Sequence, residues 1–91
     1  MRRAARADGN QRALTQALRR LGASVHLTHT VGQGFPDAVV GFRGENYLIE
    51  FKIEGGELTG DEPDWHAAWR GQVAVVRSLD DALQVLGIDE H

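Results

Sequence analysis

The chain has 91 residues, enough for one small domain and too few for two hydrophobic cores. Its 42% hydrophobic and 25% charged residues are typical of folded proteins. With no cysteine, disulfides and thiolate metal sites are excluded, so metal ligands must come from Asp, Glu, His or backbone oxygens. We find no apolar leader and no apolar run of membrane length, which predicts a soluble cytoplasmic protein.

The net charge of −3 is divided unevenly along the chain. Residues 1–30 contain six arginines and one aspartate, whereas residues 31–91 contain four basic and twelve acidic side chains. This split predicts a basic N-terminal arm (1–9), one domain (10–88) with an acidic site, and a short C-terminal tail (89–91). A merely solvated basic terminus is the alternative interpretation.

The first elements are indicated by hydrophobic periodicity. The apolar residues at helical spacing are Leu14, Ala17, Leu18 and Leu21. With Asn10 as N-cap and Gly22 as the stop signal, they predict a helix over about 11–21. Gln11 lies on the same stripe, so its amide faces whatever this helix covers. The alternation over residues 23–30 predicts a first strand.

Residues 36–42 and 46–53 are predicted to form two strands joined at Arg43-Gly44. A two-residue turn places Asp37 opposite Glu50, with both side chains on one face of the hairpin. A three-residue loop without a bulge would move Asp37 to the other face.

The second half completes an α/β fold. Thr59 and Glu62 have the spacing of a capping box before a helix over about 60–70. Residues 72–77 predict a short buried strand, and Ser78 is the N-cap of a last amphipathic helix. The predicted order is αβββαβα, with a mixed four-stranded sheet flanked by helices.

Three side chains on the predicted hairpin form a candidate site for metal chemistry. Asp37 and Glu50, opposed at about 5 Å between Cβ atoms, would repel each other unless a cation lay between them. Hard oxygen ligands at that separation suit Mg²⁺ or Mn²⁺. Lys52, about 6.6 Å along the strand from Glu50, could orient or activate a water or neutralise charge on a phosphate.

Pro36-Asp37, Glu50 and Lys52 resemble the signature of the PD-(D/E)XK nuclease superfamily. Further segments resemble a stand-alone VRR-Nuc (virus-type replication-repair nuclease) domain of the phage and bacterial kind. These segments are Val31 to Asp37 (VGQGFPD), the helix start with Leu58, Thr59, Glu62 and Trp65, and Ala74 to Ala82 (AVVRSLDDA). The resemblance covers nearly the whole chain and implies a restriction-endonuclease-like core.

The resemblance implies a metal-dependent DNA endonuclease. Asp37, Glu50 and the backbone carbonyl of Phe51 would bind Mg²⁺ or Mn²⁺, and Lys52 would serve the attacking water. It also implies a homodimer that acts on branched DNA, as Holliday-junction resolvases do, in repair, recombination or phage replication. No organic cofactor and no membrane partner are implied.

Two positions depart from the family pattern. Gln11 stands where the first helix often supplies a carboxylate, and Glu62 stands where glutamine is common; both are candidate accessory residues. Gly32 and Gly34 precede the catalytic strand and could admit a phosphate to the backbone, although turn geometry alone explains them equally well. The candidate phosphate contacts are Arg2, Arg3, Arg6, Arg12, Arg19 and Arg20.

The remaining histidines and aromatic residues are interpreted structurally. His26 and His29, three apart on a strand, point to opposite faces and are poorly placed to bind one metal ion. Trp65 and Trp69 share one helix face and indicate core or dimer packing in preference to base stacking. His66 is interpreted as an exposed helical residue outside the site.

Two other functions stay open. A DNA-binding or assembly domain with a degenerate nuclease fold is compatible with Gln11 in place of an acid. A protein-binding α/β module would leave the charged strand face merely solvated, and Asp37→Ala would then stabilise the fold or have no effect.

Overall fold

The structure is a computed structural model that describes residues 3–88, with side chains described from residue 10 onward. In chain order the elements are α1 (Arg3–Arg20), β1 (Ser24–Leu27), β2 (Ala38–Phe42), β3 (Glu45–Phe51), α2 (Glu62–Ala68), β4 (Ala74–Val76) and α3 (Leu79–Leu86). Within residues 3–88 no helix combines the length and the apolar character that crossing a membrane requires. The predicted tail (89–91) lies outside the described residues.

The four strands form one mixed sheet in the order β1-β2-β3-β4. The pairs β1-β2 and β2-β3 are antiparallel, whereas β3 and β4 are parallel. A parallel pair needs a crossover, and α2 lies in that connection. The predicted α/β class with a mixed four-stranded sheet and three helices is therefore confirmed.

The β2-β3 hairpin has the predicted two-residue turn. Phe42 pairs with Glu45, and Ala38 pairs with Ile49. Arg43 and Gly44 both have positive φ, 52° and 82°, the combination that a type I′ turn requires. The Arg43 guanidinium also lies 4.8 Å from the centre of the Phe42 ring. This register sets Asp37, one residue before β2, at the position opposite Glu50.

The first helix begins earlier than the sequence pattern indicates. It starts at Arg3, so Asn10 lies inside the helix and is not its N-cap. Alanine and arginine, which dominate residues 3–7, are strong helix formers, and they extend the helix beyond its apolar stripe. Residues 3–9, predicted as part of the basic arm (1–9), are thus helical in backbone, and residues 1–2 lie outside the described part of the chain. The helix ends as predicted, with Gly22 at φ +99° and the Ala23 N–H bonded to the Leu18 carbonyl.

The main core lies on one face of the sheet, between the sheet and the pair α1 and α3. Alternation along β3 turns Ile49 and Phe51 toward this core. The buried core residues are Leu14, Leu18, Ala23, Val25, Ala38, Val40, Ile49, Phe51, Val76, Ala82 and Leu86. Leu21 and Leu79, at the outer ends of the two helical stripes, are exposed.

The second helix is shorter than predicted and lies over the opposite face. It contains seven residues, none of them buried. Trp65 and Trp69 stack on each other with ring centres 4.6 Å apart, and Trp65 also contacts Phe35 edge-on. Trp69 is 42% exposed. Trp65 therefore joins α2 to the loop before β2. Neither tryptophan belongs to the main core, so the core packing predicted as one of two roles for this pair is not observed.

Gln72 has a structural role that the sequence pattern did not reveal. We predicted that residues 72–77 form a strand, but β4 begins only at Ala74. The Gln72 amide instead bonds Leu48 of β3 twice: its Oε1 accepts from the Leu48 N–H at 2.7 Å, and its Nε2 donates to the Leu48 carbonyl at 3.0 Å. The Gln72 side chain thus makes with Leu48 the two hydrogen bonds that a residue of a neighbouring strand would make.

Candidate active site

Asp37 is held in place from both sides. Its backbone carbonyl accepts from the Thr28 N–H at 2.8 Å, and the Thr28 hydroxyl donates to the Pro36 carbonyl at 2.7 Å. Its side-chain Oδ2 accepts from the Phe51 N–H at 2.8 Å. Burial is the main reason why the pKa of Asp37 is raised.

Glu50 is a buried carboxylate in the middle of the site. It is only 1% exposed, although it lies on the strand face that the sequence pattern presents as charged. Its Oε1 has no hydrogen-bond partner. Burial first, and then the negative charges of Asp37 and Glu62, raise the pKa of Glu50 to about 8. Within residues 10–88, Glu50 Oε1 is therefore a buried polar atom without a hydrogen-bond partner, which is uncommon in folded proteins.

Lys52 lies between two carboxylates. Its Nζ is 2.8 Å from Glu62 Oε1 and 3.6 Å from Glu50 Oε2. Burial alone would lower the pKa of Lys52, because it disfavours the charged amine. The hydrogen bond to Glu62 and the surrounding negative charges outweigh this effect, so the pKa of Lys52 is raised. The ammonium is therefore the stable form at neutral pH.

Glu62 serves both of the roles considered for it. Its Oε1 accepts from the Thr59 N–H at 2.9 Å, which is half of the predicted capping box. The other half is absent, because the helix begins at Glu62 and its N-cap is Asp61, which makes no side-chain cap bond. The same Oε1 accepts from Lys52, so Glu62 joins the start of α2 to the site. These hydrogen bonds outweigh burial and lower the pKa of Glu62.

Asn10 is a site residue that the sequence reasoning missed. Its Nδ2 donates to the Lys52 carbonyl at 2.7 Å and so fixes α1 against the end of β3. Asparagine is a common N-cap residue, and this preference accounted for Asn10 in the sequence. No sequence pattern therefore indicated that Asn10 contacts a residue 42 positions away.

A cleft of about 530 Å³ opens beside Asp37. It is lined by Gln11, Arg12, Thr15, Gln16 and Arg19 of α1 and by Leu27, His29 and Asp37. The structure thus places the predicted accessory residue Gln11 at the same cleft as a predicted metal ligand. The Thr15 hydroxyl is buried and has no hydrogen-bond partner. The cleft combines cationic, amide and carboxylate groups, a composition suited to a polar anionic ligand.

The candidate DNA-binding arginines divide into three groups. Arg12 and Arg19 line the cleft, and Arg19 also donates to the Val25 carbonyl at 2.8 Å, which gives it a structural role. Arg20 is exposed at the end of α1 and does not line the cleft. The side chains of Arg2, Arg3 and Arg6 lie outside the described part of the chain.

Gly34 is required for the close approach of α2 to the loop before β2. A Cβ at this position would lie 2.6 Å from the Asp61 carbonyl oxygen and 2.8 Å from Trp65 Cβ, and its φ is +86°. Gly32 also has positive φ, +75°, but faces open space. The packing of α2 therefore explains Gly34 without a phosphate, whereas phosphate contact at Gly32 stays a prediction.

We expect Gly34→Ala to destabilise the protein more than Gly32→Ala does. Both changes impose a left-handed conformation on alanine, at a cost of about 1–2 kcal/mol. Only Gly34→Ala adds overpacking against α2, which costs about 1–3 kcal/mol more. Thermal unfolding of the two variants and the wild type measures the difference. Equal melting temperatures for the two variants would contradict the close packing.

The donor groups fit a hard divalent cation in part. Asp37 and Glu50 are brought together, and Glu50 Oε1 has no hydrogen-bond donor among the described side chains. In their observed positions, no three His, Asp or Glu side chains within residues 10–88 form a ready metal cluster. Mg²⁺ commonly binds through one or two carboxylates and keeps several waters, so two carboxylates are an adequate protein contribution. The part of the Phe51 carbonyl stays a prediction.

Comparison of the chain with known protein families, curated proteins and solved structures gave no significant match. The resemblance to the PD-(D/E)XK superfamily therefore stays a prediction based on the residues quoted above. What the structure adds is the convergence of Asp37, Glu50 and Lys52 at one end of the hairpin.

Proposed function

We propose that the chain is a metal-dependent DNA endonuclease. The observation that supports this most directly is the buried Glu50 carboxylate, whose free Oε1 lies in a site shared with Asp37 and Lys52. Burying a carboxylate with one oxygen left unsatisfied is costly in a purely structural role. A divalent cation would give it a partner.

Asp37 and Glu50 would hold the ion, together with the Phe51 carbonyl that the resemblance implies. When bound, the ion supplies a water of lowered pKa and polarises the phosphate. The Phe51 N–H fixes one Asp37 oxygen and thereby orients the other. These constraints place the carboxylates before any ligand arrives, which reduces the ordering that catalysis requires.

Lys52 acts as a positioned cation. Glu62 holds its Nζ at 2.8 Å, and its raised pKa keeps the amine protonated. It can therefore donate a hydrogen bond to the attacking water or to a phosphate oxygen that gains negative charge. Removal of a proton from water by Lys52 is disfavoured by the same charge.

The cleft beside Asp37 is the proposed path for the DNA backbone. Arg12 is exposed on its rim, so a phosphate can reach its guanidinium without displacing a structural contact. The chain as a whole is acidic, and a local basic patch is needed to hold DNA beside carboxylates. Preference for branched DNA and assembly as a homodimer are further parts of this proposal, taken from the resemblance.

Cleavage of labelled DNA tests the proposal. Four-way junction, flap, single-stranded and linear duplex substrates are incubated with wild type and Mg²⁺, Mn²⁺ or EDTA. We expect metal-dependent cuts in the wild type, none with Asp37→Asn, and unchanged cutting with Asp80→Asn, an exposed control on α3. Binding without cutting by the wild type would support the non-catalytic DNA-binding domain. Neither binding nor cutting would favour the protein-binding module.

Arg12→Ala is expected to weaken DNA binding by roughly tenfold at low salt and to reduce the salt dependence of the affinity by about one phosphate contact. Arg43→Ala is the matched control, because Arg43 is exposed at the opposite end of the β2-β3 hairpin. Fluorescence anisotropy over a salt series measures both quantities. An equal effect of the two substitutions would show that the cleft is not the binding path.

A further inference from the structure

Two buried polar atoms without hydrogen-bond partners face each other beside the proposed metal site. They are Glu50 Oε1 and His66 Nε2, 3.9 Å apart. The His66 side chain is 12% exposed and the Glu50 side chain 2%, so His66 is not the exposed helical residue that the sequence indicated. Buried polar atoms normally have partners, and two unsatisfied atoms this close require an explanation.

A direct contact between the two atoms does not explain the arrangement. A separation of 3.9 Å exceeds the range of an N–H···O hydrogen bond, about 2.7–3.2 Å. The other Glu50 oxygen, Oε2, faces Lys52 at 3.6 Å. Oε1 and the imidazole nitrogen are therefore close enough to share a third group that bonds both of them.

The donor set indicates what that group is. Two ligands of one first-row transition ion, each about 2.1 Å from it, lie roughly 3.0–3.4 Å apart at octahedral or tetrahedral angles. The observed pair needs to approach by less than about 1 Å, a change within the reach of small side-chain rotations. The Trp65 and His66 rings meet edge-on with their centres 5.8 Å apart, and this contact helps to fix the imidazole.

We propose that His66 is a metal ligand, and that an ion bound through Glu50 Oε1 also takes His66 Nε2. The inference rests on the proposed metal-dependent function and adds its ion selectivity. Imidazole nitrogen is a good ligand for Co²⁺, Ni²⁺ and Zn²⁺ and a poor one for Mg²⁺, which prefers oxygen. The site therefore prefers transition ions to Mg²⁺.

Calorimetric titration with Co²⁺ and with Mg²⁺ tests the proposal, with the visible absorption of Co²⁺ as a second readout of nitrogen ligation. The full chain is used without a histidine tag, which would itself bind Co²⁺. The variants are His66→Ala, His66→Gln, which keeps a polar side chain in the buried position, and His26→Ala, an exposed histidine on β1. Circular dichroism verifies that each variant is folded.

We expect both His66 variants to lose about tenfold or more in Co²⁺ affinity, with less than about a twofold change for Mg²⁺, and His26→Ala to match the wild type. A similar loss for both ions would overturn the proposal, since His66 would then only support the fold. Unchanged Co²⁺ affinity and spectrum would overturn it as well and would leave a bridging water as the partner of both atoms. A wild type that binds neither ion would instead refute the metal dependence of the proposed function.

Discussion

Lys52→Met should reduce metal-dependent DNA cleavage by about a hundredfold or more while leaving divalent ion binding intact. Methionine preserves the length and apolar stem of lysine but removes the positive charge. Loss of one preorganised charge that stabilises a transition state typically costs about 10²–10³ in rate. Single-turnover cleavage of the best DNA substrate measures the loss, and calorimetry with Mg²⁺ shows whether the ion still binds.

Comparison of Lys52→Met with Asp37→Asn distinguishes a residue that acts in cleavage from a residue that binds the ion. Asp37→Asn should lose both ion binding and cleavage, because Asp37 is a proposed ligand, whereas Lys52→Met should lose only cleavage. Lys52 is the single lysine of the chain, so no neighbouring lysine can take over its charge. Cleavage by Lys52→Met at the wild-type rate would show that the ammonium has only the structural role of pairing with Glu62.

The hairpin shows why part of the site was predictable from sequence. Arg43-Gly44 lies between two alternating strands, and a type I′ turn admits only one register without a bulge. That register sets Asp37 opposite Glu50, so one local turn decides which acids share a face.

What the sequence did not predict depends on contacts between distant segments. Strand alternation predicted that Glu50 shares a face with Asp37 but not that it is buried, and the burial comes from α2, whose His66 lies against Glu50. Asn10 and Gln72 have ordinary local interpretations as an N-cap and a strand residue, and only the assembled fold shows their bonds to β3. Local propensity cannot reveal a polar side chain whose partner is distant in sequence.

Glu50→Gln should stabilise the protein in EDTA at pH 8, and the reason is a linkage between protonation and folding. Because the pKa of Glu50 is about 8 in the folded protein and 4.5 ordinarily, the folded state binds more protons between these values. Stability of the metal-free protein therefore falls as pH rises from about 5 to 8. The raised pKa of Asp37 acts in the same direction. The lowered pKa of Glu62 has the opposite effect on the pH dependence of stability, and this effect falls at pH values below the range of 5 to 8.

We expect the wild type in EDTA to lose on the order of 3 kcal/mol of stability between pH 5 and pH 8, measured as a fall in melting temperature. Glu50→Gln removes the titrating group and should flatten most of this dependence, whereas Glu45→Gln, an exposed control on the same strand, should leave it unchanged. Mg²⁺ or Mn²⁺ should raise the melting temperature of the wild type most at pH 8, where the ionised fraction of Glu50 is largest within this range, and should have little effect on Glu50→Gln. A pH dependence shared equally by wild type and Glu50→Gln would mean that the buried carboxylate is not the source of the instability. In that case the burial of Glu50 would no longer favour a cation at this site.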